Sequence, residues 1–393
     1  MKAVILAAGE GTRLRPFTVS EPKVMIPVAN KPILEYVIDA LVDNGITDIV
    51  MVVGYKKEKI LTHFGTGEDF GANIEYVIQR KQLGTAHGLA KAEEKIDDEF
   101  IVLPGDNVVS KETVGYLLEN RSDYSVLITK SATPSKYGVV YLSNGFVEEI
   151  EEKPSISYSH LISTGIYSFQ PDIFDHIEEV MAEQVYDLTA AVQEIDGLKG
   201  VVTDTMWIDA VYPWDLLEVN STALTGVVET SNGVIEDDVT LKGPVHIGKG
   251  TVIKSGSYIE GPAVIEEGCE IGPNACILPS TSIGKDSKVS PFTVIQNSLL
   301  METIRVGSHS FIGNSVIGDG VRIGNNFTTY VGDTDIKLNL EFHSVENIGC
   351  IVGEDSDIGA GVVMETGVIV EDDCTISPGK TVRKNVPHGS RVV

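Results

Sequence analysis

The amino-terminal loop combines small residues and cations in a pattern suited to binding phosphate. Residues 7–12 read Ala-Ala-Gly-Glu-Gly-Thr, and the glycines let backbone N–H groups approach an anion closely. Arg13, Arg15 and Lys23 follow, and guanidinium and ammonium groups pair well with phosphate oxygens. The loop is not a Walker A motif, and it lacks the third glycine of a dinucleotide fingerprint because Leu14 stands there. The pattern predicts a loop that binds a phosphate-rich ligand.

Two aspartates stand at the ends of short apolar runs. Asp106 follows the predicted strand 100–103, and Asp209 ends the run 206–209. An aspartate in such a place is often only a turn or capping residue. Two carboxylates that meet opposite a phosphate loop would instead suit octahedral Mg²⁺, with phosphate oxygens and waters as the other ligands. We therefore predict Mg²⁺ as the cofactor.

Two further polar clusters follow predicted strands. Residues 79–88 read Gln-Arg-Lys-Gln-Leu-Gly-Thr-Ala-His-Gly and open a helix, and the amide of Gln79 offers a paired donor and acceptor to a base edge. Residues 151–153 read Glu-Glu-Lys before Pro154, which stops the strand. This second cluster is either a solvated strand end with a weak ion pair or a site for sugar hydroxyls and a phosphate.

These clusters need a scaffold, and the first half of the chain predicts one. Apolar runs alternate with helical patterns through residues 2–220, which is typical of an α/β protein with a mainly parallel sheet. One helix is expected between Asn30 and Gly45, with an apolar stripe that begins at Ile33. Ligands of such sheets bind beyond the carboxyl ends of the strands, where the polar clusters fall.

The second half of the chain is a repeat. Aliphatic residues recur every six positions from Ile235 to Met301 and again from Val352 to Val382. This period predicts a hexapeptide β-helix whose stacked aliphatic side chains form the core. Residues 304–331 look irregular, and residues 333–349 look like an inserted loop. We predict two domains, residues 1–225 and 226–393.

Composition limits the partners. The formal net charge of −27 argues against nucleic acid, and the sequence has no long apolar stretch that would cross a membrane. Four scattered cysteines without Cys-x-x-Cys spacing favour a reducing compartment, so we expect a cytoplasmic protein without a disulfide scaffold or zinc site.

The stretch Leu-Ala-Ala-Gly-x-Gly-Thr-Arg-Leu-Arg-Pro, followed by Pro-Lys at 22–23, resembles the signature of sugar-1-phosphate nucleotidylyltransferases. The resemblance implies a Rossmann-like nucleotidyltransferase domain, a left-handed β-helix, homo-oligomers of trimer size or larger, and transfer from UTP or dTTP to glucose 1-phosphate or N-acetylglucosamine 1-phosphate. Ser163 stands where the acetamido-sugar enzymes tend to have Asn, which leaves the sugar open.

The resemblance also implies roles for individual residues. The uridylyl branch of the family places the sugar-binding Glu two residues before the Lys, which would be Glu151. The thymidylyl branch places it next to the Lys, which would be Glu152, and we favour Glu152. The implied sets are Arg13 and Lys23 for catalysis; Leu6, Ala8, Gly9, Gly11, Thr12, Gln79, Gly84 and Thr85 for the nucleotide; Gly138, Glu151, Glu152, Lys153 and Thr164 for the sugar phosphate; and Asp106 and Asp209 for the metal.

Two alternatives remain. Bifunctional relatives of the family also acetylate glucosamine 1-phosphate from acetyl-CoA in the β-helix. Their catalytic His and its partner Tyr lie just before a Gly-Asp/Asn-Ser-Val-Ile element, and this chain has Gly-Asn-Ser-Val-Ile at 313–317. However, Ser308 and Phe311 occupy the positions of the catalytic His and its partner Tyr. His309 follows the catalytic position by one residue, and on a strand this offset turns the side chain to the opposite face. The other alternative is a non-catalytic regulatory homologue, which tends to lose the loop cations or the metal acids that are all present here.

Overall fold

The computed structural model describes residues 1–338 and 341–393, which form two compact units. The first unit comprises residues 1–10, 21–25 and 32–209. The second unit comprises residues 11–20, 26–31 and 210–393. The segments on either side of Lys23 therefore belong to the second unit, whereas Lys23 itself belongs to the first.

The first unit is built on a nine-stranded sheet whose order is β5-β4-β1-β6-β11-β8-β12-β10-β9. Seven of these strands run in one direction, and β10 and β11 run against them, so the sheet is mainly parallel as predicted. The strands up to the end of this unit are Lys2–Ala7 (β1), Pro27–Val28 (β2), Lys31–Pro32 (β3), Asp48–Val53 (β4), Asn73–Ile78 (β5), Phe100–Pro104 (β6), Asn107–Val109 (β7), Ser125–Lys130 (β8), Gly138–Ser143 (β9), Phe146–Glu152 (β10), Leu161–Phe169 (β11), Lys199–Val202 (β12) and Trp207–Asp209 (β13).

Amphipathic helices pack on the sheet. The predicted stripe of α1 is correct, because Ile33, Leu34, Val37, Ile38 and Leu41 are all buried. Leu34, Val37, Ile38 and Leu41 join the β1 and β4 residues in one apolar core, and burial of each contributes on the order of 2 kcal/mol. The helices are Ile33–Val42 (α1), Lys57–Phe64 (α2), Thr85–Ala90 (α3), Lys111–Asn120 (α4), Ile173–Ala182 (α5), Leu188–Gln193 (α6) and, in the second unit, Asp215–Leu224 (α7).

The second unit contains a parallel β-helix. Short strands form three parallel sheets of eight, nine and eight strands within the described residues, and most strands pair with one about 18 positions later. Three strands that precede residues 332–348 instead pair with one 35 positions later. The repeated aliphatic residues point inward and form one continuous buried core, as the six-residue period predicts. The first sheet consists of Thr230–Ser231, Val245–Ile247, Ala263–Ile265, Thr281–Ile283, Leu299–Leu300, Val316–Ile317, Cys350–Val352 and Val368–Val370.

The other two sheets run alongside the first. The second consists of Val234–Ile235, Val252–Ile253, Glu270–Ile271, Lys288–Val289, Arg305–Val306, Arg322–Ile323, Asp357–Ile358, Thr375–Ile376 and Arg391–Val392. The third consists of Thr240–Lys242, Tyr258–Glu260, Cys276–Ile277, Val294–Gln296, Phe311–Gly313, Thr328–Thr329, Val363–Met364 and Thr381–Val382.

The repeat continues through the region that looked irregular. One coil is a residue shorter, so that Leu300, rather than Met301, pairs with Ile283. Residues 305–329 then continue all three sheets with the shifted register. A strict six-residue count misses this continuation, because a single deletion moves every later core position by one.

The predicted inserted loop is an antiparallel hairpin. Residues Gly332–Leu338 pair with Glu341–Ile348, and positions 339 and 340 of the predicted insertion lie outside the described residues. Ile336 is buried, and alternate neighbours are more exposed, as expected for a strand pair with one covered face. In the described residues, no helix has the length and apolar character that a membrane crossing needs.

Candidate functional site

The predicted cation Lys23 and the two predicted metal ligands meet in the first unit. The Lys23 Nζ atom lies 2.6 Å from Asp106 Oδ2 and 2.8 Å from Asp209 Oδ1. The Lys23 side chain is only 12% exposed, and that of Asp209 is 16% exposed. Charge-assisted bonds of this length, shielded from water, hold the three groups in a fixed arrangement.

Pairing of β7 with β13 brings the two aspartates together. The strands run antiparallel, and Asp209 stands opposite Asn107, the residue after Asp106. The Trp207 indole Nε1–H donates to Asn107 Oδ1 at 3.3 Å and ties the pair across the strands. These contacts join positions about a hundred residues apart, so sequence spacing alone does not predict them.

Burial lowers the pKa of Lys23, but Asp106 and Asp209 outweigh this effect. Their charges and hydrogen bonds hold the pKa of the ammonium well above its ordinary value. Lys23 is therefore a permanent cation at any physiological pH. The cluster carries two negative charges and one positive charge at a site with little solvent.

The same two carboxylates are the candidate metal ligands. Among the described residues, no group of three or more His, Cys, Asp or Glu side chains is arranged to hold a metal ion. A metal at this site would thus have two protein carboxylates, and its remaining positions would belong to substrate oxygens and water. Hard oxygen ligands and an incomplete protein shell fit Mg²⁺, which usually keeps waters and binds substrate phosphates.

The phosphate-binding loop begins in the first unit. Leu6 is half-buried one residue before the end of β1, and the Ala8 carbonyl accepts a hydrogen bond from the Tyr55 N–H at 3.1 Å. Gly9 is exposed, and a Cβ at this position would meet no atom within 4 Å. The backbone at Gly9 is therefore open to a ligand.

The continuation of this loop belongs to the second unit. Gly11 has a φ of 70°, in the left-handed region, and starts the 3₁₀ turn Thr12–Leu14. The Thr18 hydroxyl donates to the Gly11 carbonyl at 3.0 Å and closes the turn. Arg13 is exposed on this turn, close enough to Tyr212 to lower the pKa of that phenol against the larger opposing effect of burial. The turn presents Thr12 and Arg13 to solvent.

The loop is fastened within the second unit at its other end. The Ser20 hydroxyl donates to the Glu354 carboxylate of the β-helix. After Lys23, the Ala29 N–H donates to Asn220 Oδ1 at 2.8 Å, and the Asn30 amide donates to the Ile283 carbonyl at 2.8 Å. Asn220 is completely buried. Residues of α7 and of the β-helix therefore hold segments 11–20 and 26–31 within the second unit.

The predicted base-binding cluster is compact. Gln79 is buried, and its Nε2 atom donates to the Gly84 carbonyl at 3.0 Å. A Cβ at Gly84 would lie 2.4 Å from the Tyr186 carbonyl oxygen, so the close approach of two backbones requires glycine there. Thr85 Oγ1 accepts from the Leu188 N–H at 2.8 Å, which ties the start of α3 to the start of α6.

The residues predicted to bind the sugar phosphate form two separate sets of contacts. Lys153 Nζ lies 2.7 Å from Glu152 Oε1, and a Cβ at Gly138 would lie 3.0 Å from Glu152 Oε2. Glu151 instead accepts from the Tyr141 hydroxyl at 3.5 Å. Strand alternation separates the two acids, since neighbours on β10 point to opposite faces. The structure thus brings Gly138, Glu152 and Lys153 together, and it does not bring Glu151 to them.

Thr164 lies apart from these contacts. It is buried, its hydroxyl donates to the Leu127 carbonyl at 2.8 Å, and it accepts from the Ile166 N–H. The hydroxyl therefore ties β11 to β8 and is engaged within the sheet.

Sequence reasoning missed three side chains around these sites. Tyr137 packs edge-on against Trp207 with ring centroids 5.6 Å apart, which links the residue before Gly138 to the strand of Asp209. His87 bonds to Gln79 at 2.9 Å. All three residues lie in the motifs, but the Tyr137 contact with Trp207 depends on long-range pairing, and the His87 contact depends on how the loop before α3 folds.

In the β-helix, His309 lies at a turn with a φ of 57° and is exposed. Its ring stacks on the Phe292 ring of the preceding coil, with centroids 5.0 Å apart and planes 12° apart. The Ser308 N–H donates to Asn325 Oδ1 at 2.9 Å, and Phe311 begins a strand of the third sheet. Within the described residues, no ion pair involves His309.

Comparison with known proteins agrees with the arrangement in the first unit. The model of the nucleotidyl transferase family matches residues 2–225, which is more than half of the chain. A second model, described as the GMPPB C-terminal domain, matches residues 259–388 of the β-helix. The chain belongs to the nucleotidyl transferase family.

Relatives match along the full length. The chain is 33% identical to the bifunctional protein GlmU of Methanocaldococcus jannaschii, over 100% of this chain and 97% of that protein. It is 32% identical to a bifunctional sugar-1-phosphate nucleotidylyltransferase/acetyltransferase of Sulfurisphaera tokodaii, over 99% of each chain. It is 33% identical to the low-salt glycan biosynthesis nucleotidyltransferase Agl11 of Haloferax volcanii, over 83% of this chain and 94% of that protein.

A solved structure is also similar. The crystal structure of a Bacillus anthracis protein, assigned as a glucose-1-phosphate thymidylyltransferase in complex with sucrose, superimposes with a TM-score of 0.53 and 29% identity. The superposition covers 57% of this chain and 95% of the Bacillus anthracis chain. The likeness supports the nucleotidyltransferase fold of the amino-terminal part.

Proposed function

We propose that the protein transfers a nucleotidyl group from UTP or dTTP to a sugar 1-phosphate, either glucose 1-phosphate or N-acetylglucosamine 1-phosphate. Pyrophosphate is released and a nucleotide sugar is formed. The observation that carries this proposal is the Lys23, Asp106 and Asp209 cluster in a chain of this family. We further propose residues 1–225 as the catalytic domain and 226–393 as the β-helix domain.

The reaction needs alignment and charge neutralisation. A phosphate oxygen of the sugar 1-phosphate attacks the α-phosphorus, the bond from that phosphorus to the bridging oxygen breaks, and pyrophosphate leaves with the electron pair. The attacking oxygen is already an anion, so no general base is required. Lys23 and Arg13 supply positive charge to the triphosphate, and Lys153 binds the incoming phosphate. Backbone N–H groups of Ala8, Gly9, Gly11 and Thr12 surround the triphosphate.

Asp106 and Asp209 would hold a divalent cation, and we propose Mg²⁺. Bound there, the ion would neutralise charge on the phosphate oxygens. The carboxylates themselves fix Lys23 and keep it protonated. This fits an enzyme that must bind two polyanions although its net charge is −27.

Substrate selection follows from the two remaining clusters. Gln79, Gly84 and Thr85 would bind the base, with Leu6 beside them at the end of β1. Glu152 would accept hydroxyls of the sugar, and its contact with Lys153 places the sugar acid and the phosphate cation side by side. Gly138 leaves room for the sugar, because a side chain there would meet Glu152.

A matrix of pyrophosphate release tests this proposal. UTP, dTTP, ATP, GTP and CTP are each incubated with glucose 1-phosphate, N-acetylglucosamine 1-phosphate and glucosamine 1-phosphate in the presence of Mg²⁺. We expect release with UTP or dTTP and at least one of the first two sugars. Absence of release in every combination would overturn the proposal.

Acetyl transfer in the β-helix is a second candidate, favoured by the full-length match to proteins described as bifunctional. Against it, Ser308 and Phe311 stand at the expected catalytic positions, and the His309 ring is stacked on Phe292. Incubation with glucosamine 1-phosphate and acetyl-CoA, followed by detection of free thiol, decides the matter. We expect no thiol above the rate without enzyme.

The proposed setting is a cytoplasmic homo-oligomer of three or more subunits, assembled through the β-helix, without nucleic acid or membrane partners. All four cysteines are free thiols, and burial raises the pKa of Cys350 to about 12, which fits a reducing compartment. Light scattering after size exclusion tests the assembly, and a monomeric mass would contradict it.

A further inference from the structure

The side-chain amide of Gln79 is held in one orientation. Its Nε2 atom lies 3.0 Å from the Gly84 carbonyl oxygen, which can only accept a hydrogen bond. The amide nitrogen must therefore face this carbonyl, because a flipped amide would set two acceptor oxygens against each other. One of the two Nε2 hydrogens is used by this contact.

His87 takes the second hydrogen. The Gln79 Nε2 atom lies 2.9 Å from His87 Nδ1. An amide nitrogen only donates, so Nδ1 must be an acceptor, and the imidazole must be neutral with its proton on Nε2. Burial lowers the pKa of His87, and the charge of Lys91 lowers it further, which favours this neutral form.

These two contacts leave only an acceptor to present to a ligand. Within the described residues, no N–H or O–H group donates to Gln79 Oε1. Gly88 packs on the same amide, since a Cβ there would lie 3.4 Å from Oε1. A bound base must therefore offer a hydrogen-bond donor to this oxygen. Uracil and thymine have an N–H at N3, whereas N3 of cytosine is an acceptor.

We propose that His87 is a positioning residue that fixes the Gln79 amide, so that Oε1 faces the base and selects pyrimidines with an N3–H over cytosine. This inference rests on the proposed function, in which Gln79 faces the base. His87 acts through Gln79 and does not itself contact the nucleotide. His87 accepts the second Nε2 hydrogen, which would otherwise be free to donate to N3 of cytosine.

Calorimetric binding of UTP and CTP with Mg²⁺, without any sugar phosphate, tests the inference on the full chain. In the wild type we expect UTP to bind at least about tenfold more tightly than CTP, the usual effect of one mismatched buried hydrogen bond. His87→Leu removes the acceptor with little change of shape, and the ratio of UTP affinity to CTP affinity should fall about tenfold. His87→Asn retains an acceptor near the Nδ1 position and should keep the ratio within about twofold.

His176→Leu, at a histidine on α5 in the same unit, is the control and should leave the ratio unchanged. Equal loss of UTP and CTP affinity in His87→Leu, or equal affinity of the wild type for both nucleotides, would overturn the inference. If His87→Leu does not fold, His87→Asn carries the test alone, because a narrowed ratio in that variant overturns the inference and a preserved one supports it. Binding selectivity without pyrophosphate release would refute the proposed function and leave this inference standing.

Discussion

Two regions each contain a titratable side chain next to a sequence motif: the Lys23 centre, formed by Lys23, Asp106 and Asp209, and the His309 corner, formed by His309 and Phe292. Their surroundings differ. Lys23 is 12% exposed and is bonded to carboxylates on two other chain segments. His309 is exposed on a single turn, and its ring contacts one aromatic neighbour, Phe292. Convergence of separate elements fixes the charge of Lys23 and raises its pKa, whereas the His309 ring meets a single aromatic neighbour on an exposed turn. The predictions below test whether chemistry follows that difference.

The largest expected effect comes from removing the carboxylates at the Lys23 centre. Asp106→Asn combined with Asp209→Asn should lower the rate of nucleotidyl transfer by about 10³-fold or more, because both candidate metal ligands and the partners of Lys23 are lost. Pyrophosphate release under saturating substrates measures this rate.

Asp204→Asn is the matched control for that pair. Asp204 lies close in sequence to Asp209, its side chain is 82% exposed, and it pairs with Lys130 on the surface. We expect its rate to stay within about twofold of the wild type. A double variant as active as this control would remove the basis for the proposed centre.

Arg13→Ala should lower turnover by about 10² to 10³, the usual loss for one preorganised charge contact on a reacting group. The KM of the sugar 1-phosphate should stay within about twofold, because Arg13 is assigned to the triphosphate. Arg383→Ala, at an exposed arginine paired with Glu365, serves as the control. A change confined to the KM of the sugar would show that the assignment of Arg13 is wrong.

Asn220→Ala should act on stability. Asn220 accepts from the Ala29 N–H and the Ser282 hydroxyl and donates to the Ser280 carbonyl, all in its buried position. Its removal leaves these partners unsatisfied, and the free energy of unfolding should fall by about 2 to 3 kcal/mol. Urea unfolding measures the difference, with the exposed Thr225→Ala at the end of the same helix as the control. An unchanged midpoint would contradict this role for the buried amide.

His309→Ala should have little effect on either property. Loss of the stacking contact with Phe292 at an exposed turn should cost less than about 1 kcal/mol, and nucleotidyl transfer should stay within about twofold. Thermal unfolding and pyrophosphate release measure the two quantities. A loss of acetyl transfer in this variant, where the wild type had shown it, would make the corner a catalytic site and break the contrast with Lys23.

The pH dependence of Lys23 should be flat. Its pKa rises on folding, so its contribution to stability is complete below the pKa of the unfolded chain, about 10.4, and is lost only as the pH rises through the higher folded value. The difference in unfolding free energy between the wild type and Lys23→Met should therefore be constant from pH 7 to about pH 10. A difference that shrinks within this range would contradict the raised pKa.

Much of the fold follows from local patterns. Apolar runs predicted strands near the phosphate loop, and the observed strand Phe100–Pro104 extends the expected 100–103 by a single residue. The six-residue period predicted the β-helix, because each coil repeats the same local geometry around one core. It failed where one residue is missing before Leu300, since periodic reasoning has no independent register after a deletion.

The sequence by itself thus determined the two architectures, the phosphate loop and the types of the functional residues, since these depend on neighbours along the chain. The tertiary structure decided which of these residues meet. Pairing of β7 with β13 joins Asp106 to Asp209, and alternation on β10 separates Glu151 from Glu152. The fold of the loop between β5 and α3 sets His87 on Gln79. Strand register and helix packing are settled by the whole core, so no local pattern encodes these contacts.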